Sequence, residues 1–187
     1  TVDLRHALQP AHQHSPIGSH ARVPEVRFRM VAVDAPPVKL LRADGKAVDL
    51  AAVLNDPRPL LLNFIYTRCD AICPIMSLAF ASVQNRLGAD RTKVRMLSIS
   101  IDPEHDTANR LAVYGQQFNS GPGWDFLTGT PADSVAVQRA FGSHRKDKTS
   151  LEARTYLRTA PGKVWMRIDG LATPEQLLQP LREALRS

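Results

Sequence analysis

Leu60-Leu61-Leu62-Asn63-Phe64-Ile65-Tyr66-Thr67-Arg68-Cys69-Asp70-Ala71-Ile72-Cys73-Pro74-Ile75-Met76 is the stretch that decides the fold. Residues 60–66 form a nearly continuous apolar run, the pattern of a strand covered on both faces in a central sheet. Beyond Pro74 the period changes: Ile75, Met76, Ala79, Phe80, Val83 and Leu87 recur at helical spacing, and Gly88 supplies a stop. The only two cysteines of the chain, Cys69 and Cys73, sit where the strand turns into the helix.

Their spacing points to thiol chemistry. If both occupy the first helical turn, the i, i+4 separation stacks their side chains on one face about 6 Å apart, within reach of a disulfide or a shared soft metal. Ordinary core burial is the bland alternative, because cysteine packs as a small hydrophobe. Polar Asp70 between the thiols and Pro74 after them argue against it. A purely structural bridge would close too short a loop to remove much unfolded-state entropy. At a helix N-terminus, unsatisfied N–H groups and the positive end of the dipole favour thiolate over thiol. Arg68 adds to that effect and Asp70 opposes it. Cys69, the more N-terminal and the more exposed by expectation, is the attacking thiol of a redox pair. Cys73 is the buried thiol that resolves the mixed disulfide.

The pattern on either side places this junction in a larger sheet. Residues 38–41 and 46–50 flank Asp44-Gly45, a strong hairpin-turn signal and a small antiparallel ornament. Residues 94–101 read as a second inner strand, ended by Asp102-Pro103 before a helix from about Thr107 to Phe118. A helical crossover joins the two inner strands, so they should run parallel. Residues 124–127 form a short strand, and Thr130-Pro131-Ala132-Asp133 starts a helix that runs to about Phe141. Residues 155–158 and 164–168 flank Pro161-Gly162 as an antiparallel hairpin, and Thr173-Pro174-Glu175-Gln176 caps a final helix. The order predicts an α/β fold of thioredoxin-like arrangement, with an N-terminal β-hairpin extension and an inserted helix-strand region.

Composition fits one folded domain. The chain has 187 residues, of which 43% are hydrophobic and 22% charged, enough for one core with peripheral decoration. The net charge is +6, but the 24 basic residues are scattered without a run of five or six, which argues against nucleic acid and leaves acidic protein partners open. No stretch approaches 18 consecutive apolar residues, so membrane association is expected only through an anchor absent from this chain. The start at Thr1 without Met fits removal of a leader or anchor. Residues 1–29 carry His6, His12, His14 and His20 among Pro, Gln, Ser and Ala with little periodicity, and read as a flexible arm preceding a domain over 30–187. His12-Gln13-His14 is a secondary candidate for copper or another borderline metal, against the commoner solvated reading.

The chain resembles the Sco (SenC) family, thioredoxin-fold proteins that handle copper for cytochrome c oxidase assembly. The likeness runs from about Val33 to Leu185. It rests on residues 64–74, similar to the family's CxxxCP motif, on Ser98-Ile99-Ser100-Ile101-Asp102-Pro103-Glu104-His105-Asp106-Thr107, and on Phe126-Leu127-Thr128-Gly129-Thr130. The resemblance implies a periplasmic or periplasm-facing, membrane-tethered location. It also implies copper held by both cysteines and one distal histidine. Here that register reads Leu151-Glu152-Ala153-Arg154-Thr155-Tyr156-Leu157, with Leu151 in the ligand's place. Leucine cannot coordinate copper, and two thiolates alone make a weaker, more open Cu(I) site. His144 is the candidate substitute ligand if its loop folds back; a solvated or helix-capping histidine is the bland reading.

The remaining candidates are weaker. Asp102 could tune a thiol, but a helix cap is the expectation, and His105 reads as a helix-start residue. Met76 could supply a thioether, yet its spacing is that of core. Peroxide reduction would need a Pro/Thr-framed cysteine that is not visible. The expected function is dithiol exchange with a protein disulfide or dithiol, such as an oxidase subunit or copper chaperone, with no cofactor required. The alternative is a copper metallochaperone using Cys69 and Cys73.

Overall fold

A computed structural model of the chain describes residues 25–187. The elements are β1 (Arg27–Val31), β2 (Lys39–Arg42), β3 (Ala47–Asp49), α1 (Leu50–Leu54), β4 (Leu60–Ile65), α2 (Ile72–Leu87), β5 (Arg95–Ser100), α3 (Ala108–Gln117), β6 (Trp124–Thr128), α4 (Pro131–Ala140), β7 (Arg154–Arg158), β8 (Trp165–Asp169) and α5 (Pro174–Arg186). They build one mixed sheet in the order β1-β8-β7-β4-β5-β6-β2-β3. As the helical crossover requires, β4 and β5 are parallel, and β6 continues the parallel set. β7 returns antiparallel on the other side of β4 and pairs with β8 as the expected hairpin.

All six residues of β4 are buried because helices cover both faces of the sheet. Leu61 and Ile65 face one core with α2, α3 and α5, which contribute Phe80, Val83, Leu111, Leu177 and Leu181. Leu60, Leu62 and Phe64 face the other, beneath α1 and α4, with Val53, Val137 and Phe141. Aromatic rings fill the second layer: Phe141 meets Phe64, Tyr156 and Trp165 edge-on at centroid distances of 5.0–5.5 Å. Buried Asn63, on the first face, accepts a hydrogen bond from the Ser98 hydroxyl at 2.7 Å, and the Trp124 indole donates to that hydroxyl at 3.1 Å.

Helix ends follow their sequence signals. Thr107, Thr130 and Thr173 each cap a helix, and Thr173 with Gln176 forms a complete capping box.

Three expectations change. Leu50 does not end a strand: Asp49 caps the short helix α1, because Leu50, Val53 and Leu54 at i, i+3, i+4 bury together. The Asp44-Gly45 hairpin forms, with Gly45 at φ 85°, but it is part of the main sheet, since β2 pairs with β6. Arg27–Arg29, read as part of the arm over residues 1–29, instead belong to β1, which pairs with β8 along its whole length. Four of its five residues are exposed, so backbone pairing to a neighbour holds this edge strand and no buried face marks it in sequence. His6, His12, His14 and His20, with the candidate metal site at His12 and His14, lie outside the described residues.

Candidate dithiol site

The strand β4 delivers the chain to the cysteines through a short loop whose geometry departs from the simple helical expectation. α2 begins only at Ile72, after Ala71 at φ −102°, ψ −91°, so Cys73 lies in the first turn and Cys69 precedes the helix. The Cys69 N–H donates to the Tyr66 carbonyl at 3.1 Å, which curls the loop back on itself. The pair is therefore brought together by a turn and not by i, i+4 stacking on a helix face. Both are free thiols in the same core cluster; Cys69 is 7% exposed and Cys73 0%.

Their environments push the two thiols apart. Burial pushes Cys69 up, but hydrogen bonds from the Cys73 thiol, from the Cys73 and Ala71 N–H groups and from the Tyr66 hydroxyl outweigh it. They hold Cys69 below the ordinary thiol range. Burial drives Cys73 far above that range; donating to Cys69 and lying beside its negative charge raise it further, against one backbone N–H from Tyr66. The Tyr66 hydroxyl is itself pushed up to about 12, by burial first and then by the Cys69 charge. It stays a protonated donor at neutral pH.

Two buried carboxylates hold the loop. Asp106 accepts from the Thr67 N–H at 3.1 Å and from the Thr67 hydroxyl, and the Ser100 hydroxyl donates to it at 2.6 Å. Asp102 does not cap α3, whose cap is Thr107. Its carboxylate takes Arg68 at 2.8 Å from one side and Lys148 from the other. Burial pushes Asp102 up, yet Lys148 and Arg68 together keep it below the usual carboxylate range. These pairs join the cysteine loop to the loop after α4. A cleft forms between them, with Tyr66, Arg68 and Asp70 on one wall and Lys146, Asp147, Lys148 and Thr149 on the other.

His144 does not reach this cleft. It lines the neighbouring cavity with Pro103, Pro131, Gln138 and Leu151, and Lys146 and Lys148 border both. Leu151, half-buried, packs against both cores, the one that contains Cys69 and Cys73 and the one with Val137 and Phe141. Among the described residues, no group of three or more His, Cys, Asp and Glu side chains is placed to hold a metal ion. Met76 is buried in the cysteine cluster as core. His105 precedes α3 and contacts the Arg110 guanidinium at 3.2 Å. The sequence reading missed the roles of Tyr66, Asp106 and Lys148. The one available signal was the Ser100, Asp102, Asp106 spacing at the end of an inner strand.

A parallel sheet core, a returning hairpin and a free thiol pair where β4 meets α2 define a thioredoxin-like dithiol protein. The chain belongs to the SCO1/SenC family, whose model matches residues 33–186. It is 35% identical over 97 residues to the SCO1 protein homolog of Bacillus subtilis, spanning 51% of this chain and 49% of that one. It is 33% identical over 125 residues to the mitochondrial SCO1 homolog 1 of Arabidopsis thaliana, spanning 65% and 35%. The chain thus spans half or less of these relatives' length. The structure of Bradyrhizobium japonicum ScoI, solved with copper bound, matches at TM-score 0.65 and 28% identity over 80% of this chain and 98% of that one.

Proposed function

We propose that this protein is a thiol–disulfide oxidoreductase of cytochrome c oxidase copper-centre assembly that works outside the cytoplasm. One observation carries the reading: two adjacent thiols of opposite acidity, Cys69 held below the ordinary thiol range and Cys73 driven above it. The Cys69 thiolate attacks one sulfur of a partner disulfide, forming a mixed disulfide and releasing the other partner sulfur as a thiolate. Cys73 then gives up its proton and attacks the Cys69 sulfur, which releases the second partner thiolate. Two electrons pass to the partner and leave a Cys69–Cys73 disulfide. Tyr66 and the α2 N–H groups stabilise the attacking thiolate, and Asp106 holds their loop in place.

The test is turnover of a protein disulfide by the reduced protein. Cys69→Ala should abolish it, and Cys73→Ala should trap a mixed disulfide. Turnover that survives Cys69→Ala would overturn the assignment.

Copper carriage is the second reading, favoured by the two sulfurs in direct contact and by a 28% identical relative solved with copper. The residues present fit a Cu(I) ion held by Cys69 and Cys73 as cargo. A Cu(I) competition titration of the reduced protein beside His144→Ala separates the readings. Tight binding that depends on His144 would put carriage first.

A further inference from the structure

The outer face of α2 changes character along its length. Ala71, Pro74, Ile75 and Leu78 follow at positions 0, 3, 4 and 7, one helical stripe that starts two residues after Cys69. Ala71 is exposed, Pro74 half-buried, and Ile75 and Leu78 are 50% and 61% exposed, on the side of the helix away from the core. Beyond these two turns the exposed positions are polar, Asn85 and Arg86. Packing does not require large apolar side chains at Ile75 and Leu78, because Cys73, Met76, Ser77 and Phe80 make the buried face.

We propose that this stripe is the docking surface for the disulfide partner, and that it selects a segment carrying a large apolar side chain within a few residues of its cysteine. The inference rests on the redox reading. A mixed disulfide forces the two Cα atoms to within about 4.4–6.8 Å, so the partner's chain must lie on the surface around Cys69. On the cleft side, that surface offers Arg68, Lys146 and Lys148 against Asp70 and Asp147, with Arg68 and Lys148 further neutralised by buried Asp102, so the charges cancel. On the helix side it offers the stripe, whose first exposed residue, Ala71, lies two positions from the thiol in the loop that enters α2. Apolar contact therefore discriminates partners where net charge does not.

The test uses two synthetic peptides, each with one cysteine in mixed disulfide with glutathione, differing by Leu or Ser three residues after the cysteine. The full chain, reduced beforehand, is assayed for release of the peptide thiol. The Leu peptide should react about tenfold faster at subsaturating concentration, the scale of one partly buried leucine. Leu78→Ser and Ile75→Ser should each erase most of that preference and leave the rate with a small aromatic disulfide within about twofold of wild type. Val164→Ser, exposed at 55% and lining a cavity with Ala51 and Leu54 on the other face of the sheet, should keep the preference. Equal rates for the two peptides would overturn the docking surface while leaving the redox reading intact. Wild-type protein that reduces neither peptide would sink both. Binding to phosphatidylcholine–phosphatidylglycerol vesicles that is lost in Leu78→Ser, with peptide preference unchanged, would assign the stripe to a lipid surface and overturn the proposal.

Discussion

The Arg68 guanidinium, next to Cys69 in the chain, donates at 2.8 Å to the carboxylate of Asp102, a wholly buried residue 34 positions later at the end of β5. Lys148 holds the other oxygen of the same carboxylate, so one acid ties together the two loops that border the thiols. The two cations are half-exposed, which sets the size of what each substitution should do.

Asp102→Ala should cost about 2 kcal/mol, because two charge-assisted bonds are lost but both cations return to water. Lys148→Met should cost only about 1 kcal/mol, since Arg68 still pairs the acid. Urea denaturation of the three proteins checks the order; an equal loss for both variants would contradict a shared acid with two partners.

Acid should unfold this protein through carboxylates whose folded values are depressed. The Arg58 hydrogen bond holds Asp56 far below its ordinary 3.8, against a smaller burial effect, and Asp102 is also lowered. Depressed groups contribute stability that is complete above the unfolded value and lost as pH falls through the folded one. Stability should therefore hold to about pH 4 and decline below it, and Asp56→Asn should flatten that decline. Denaturation midpoints between pH 7 and pH 2 measure both slopes.

Alkylation should separate the thiols. In the reduced protein Cys69 should react with iodoacetamide with an apparent titration below the ordinary thiol value of 9.0, and Cys73 should stay inert across the same range. Tyr66→Phe removes one donor to Cys69 and should move its titration upward; Cys73→Ala removes another and should do the same. Peptide mapping by mass spectrometry reads each site, and equal rates at both cysteines would count against their roles.

Copper binding should answer to position 151 and not to position 144. Leu151 and His144 line one cavity, but Leu151 also packs against the core that holds the cysteines, so Leu151→His should tighten Cu(I) by tenfold or more, whereas His144→Ala should leave the affinity unchanged. Competition with a chromophoric Cu(I) chelator measures both.

Asp106→Ala should loosen the loop that carries Cys69. It leaves the buried Ser100 hydroxyl and the Thr67 N–H without their acceptor, a loss of about 2–3 kcal/mol. Faster amide exchange at Thr67 than at Leu62 in the variant would register the local effect; uniform loss across the sheet would show a purely global one.

Much of this was legible because local patterns carry it. The buried run at 60–65, the helical period from Ile75, the threonine caps and the Asp44-Gly45 turn are short-range signals, and each appears where the pattern puts it. β1 left no such trace, since an edge strand exposed on both sides needs only backbone pairing to β8. Helix α1 was hidden because five residues are too few to establish a period. At the site, the family resemblance implied Leu151 in a ligand's register, and the cysteines could be read directly. The partners of Asp102 could not, because Arg68 and Lys148 lie 34 and 46 residues from it.

The amino-acid sequence alone determined that a dithiol sits where a buried strand meets a helix, and that Leu151 stands in the register of a ligand. Residue identity and nearest-neighbour periodicity are enough for the first; the second is what the family resemblance implies. Only the tertiary structure decided how the thiols differ, because their acidity depends on Tyr66 and the α2 N–H groups curling back onto one sulfur while the core closes over the other. It also decided that His144 lines the cavity beside the dithiol cleft and not the cleft itself, since the loop after α4 is held by Lys148 on buried Asp102, which follows β5.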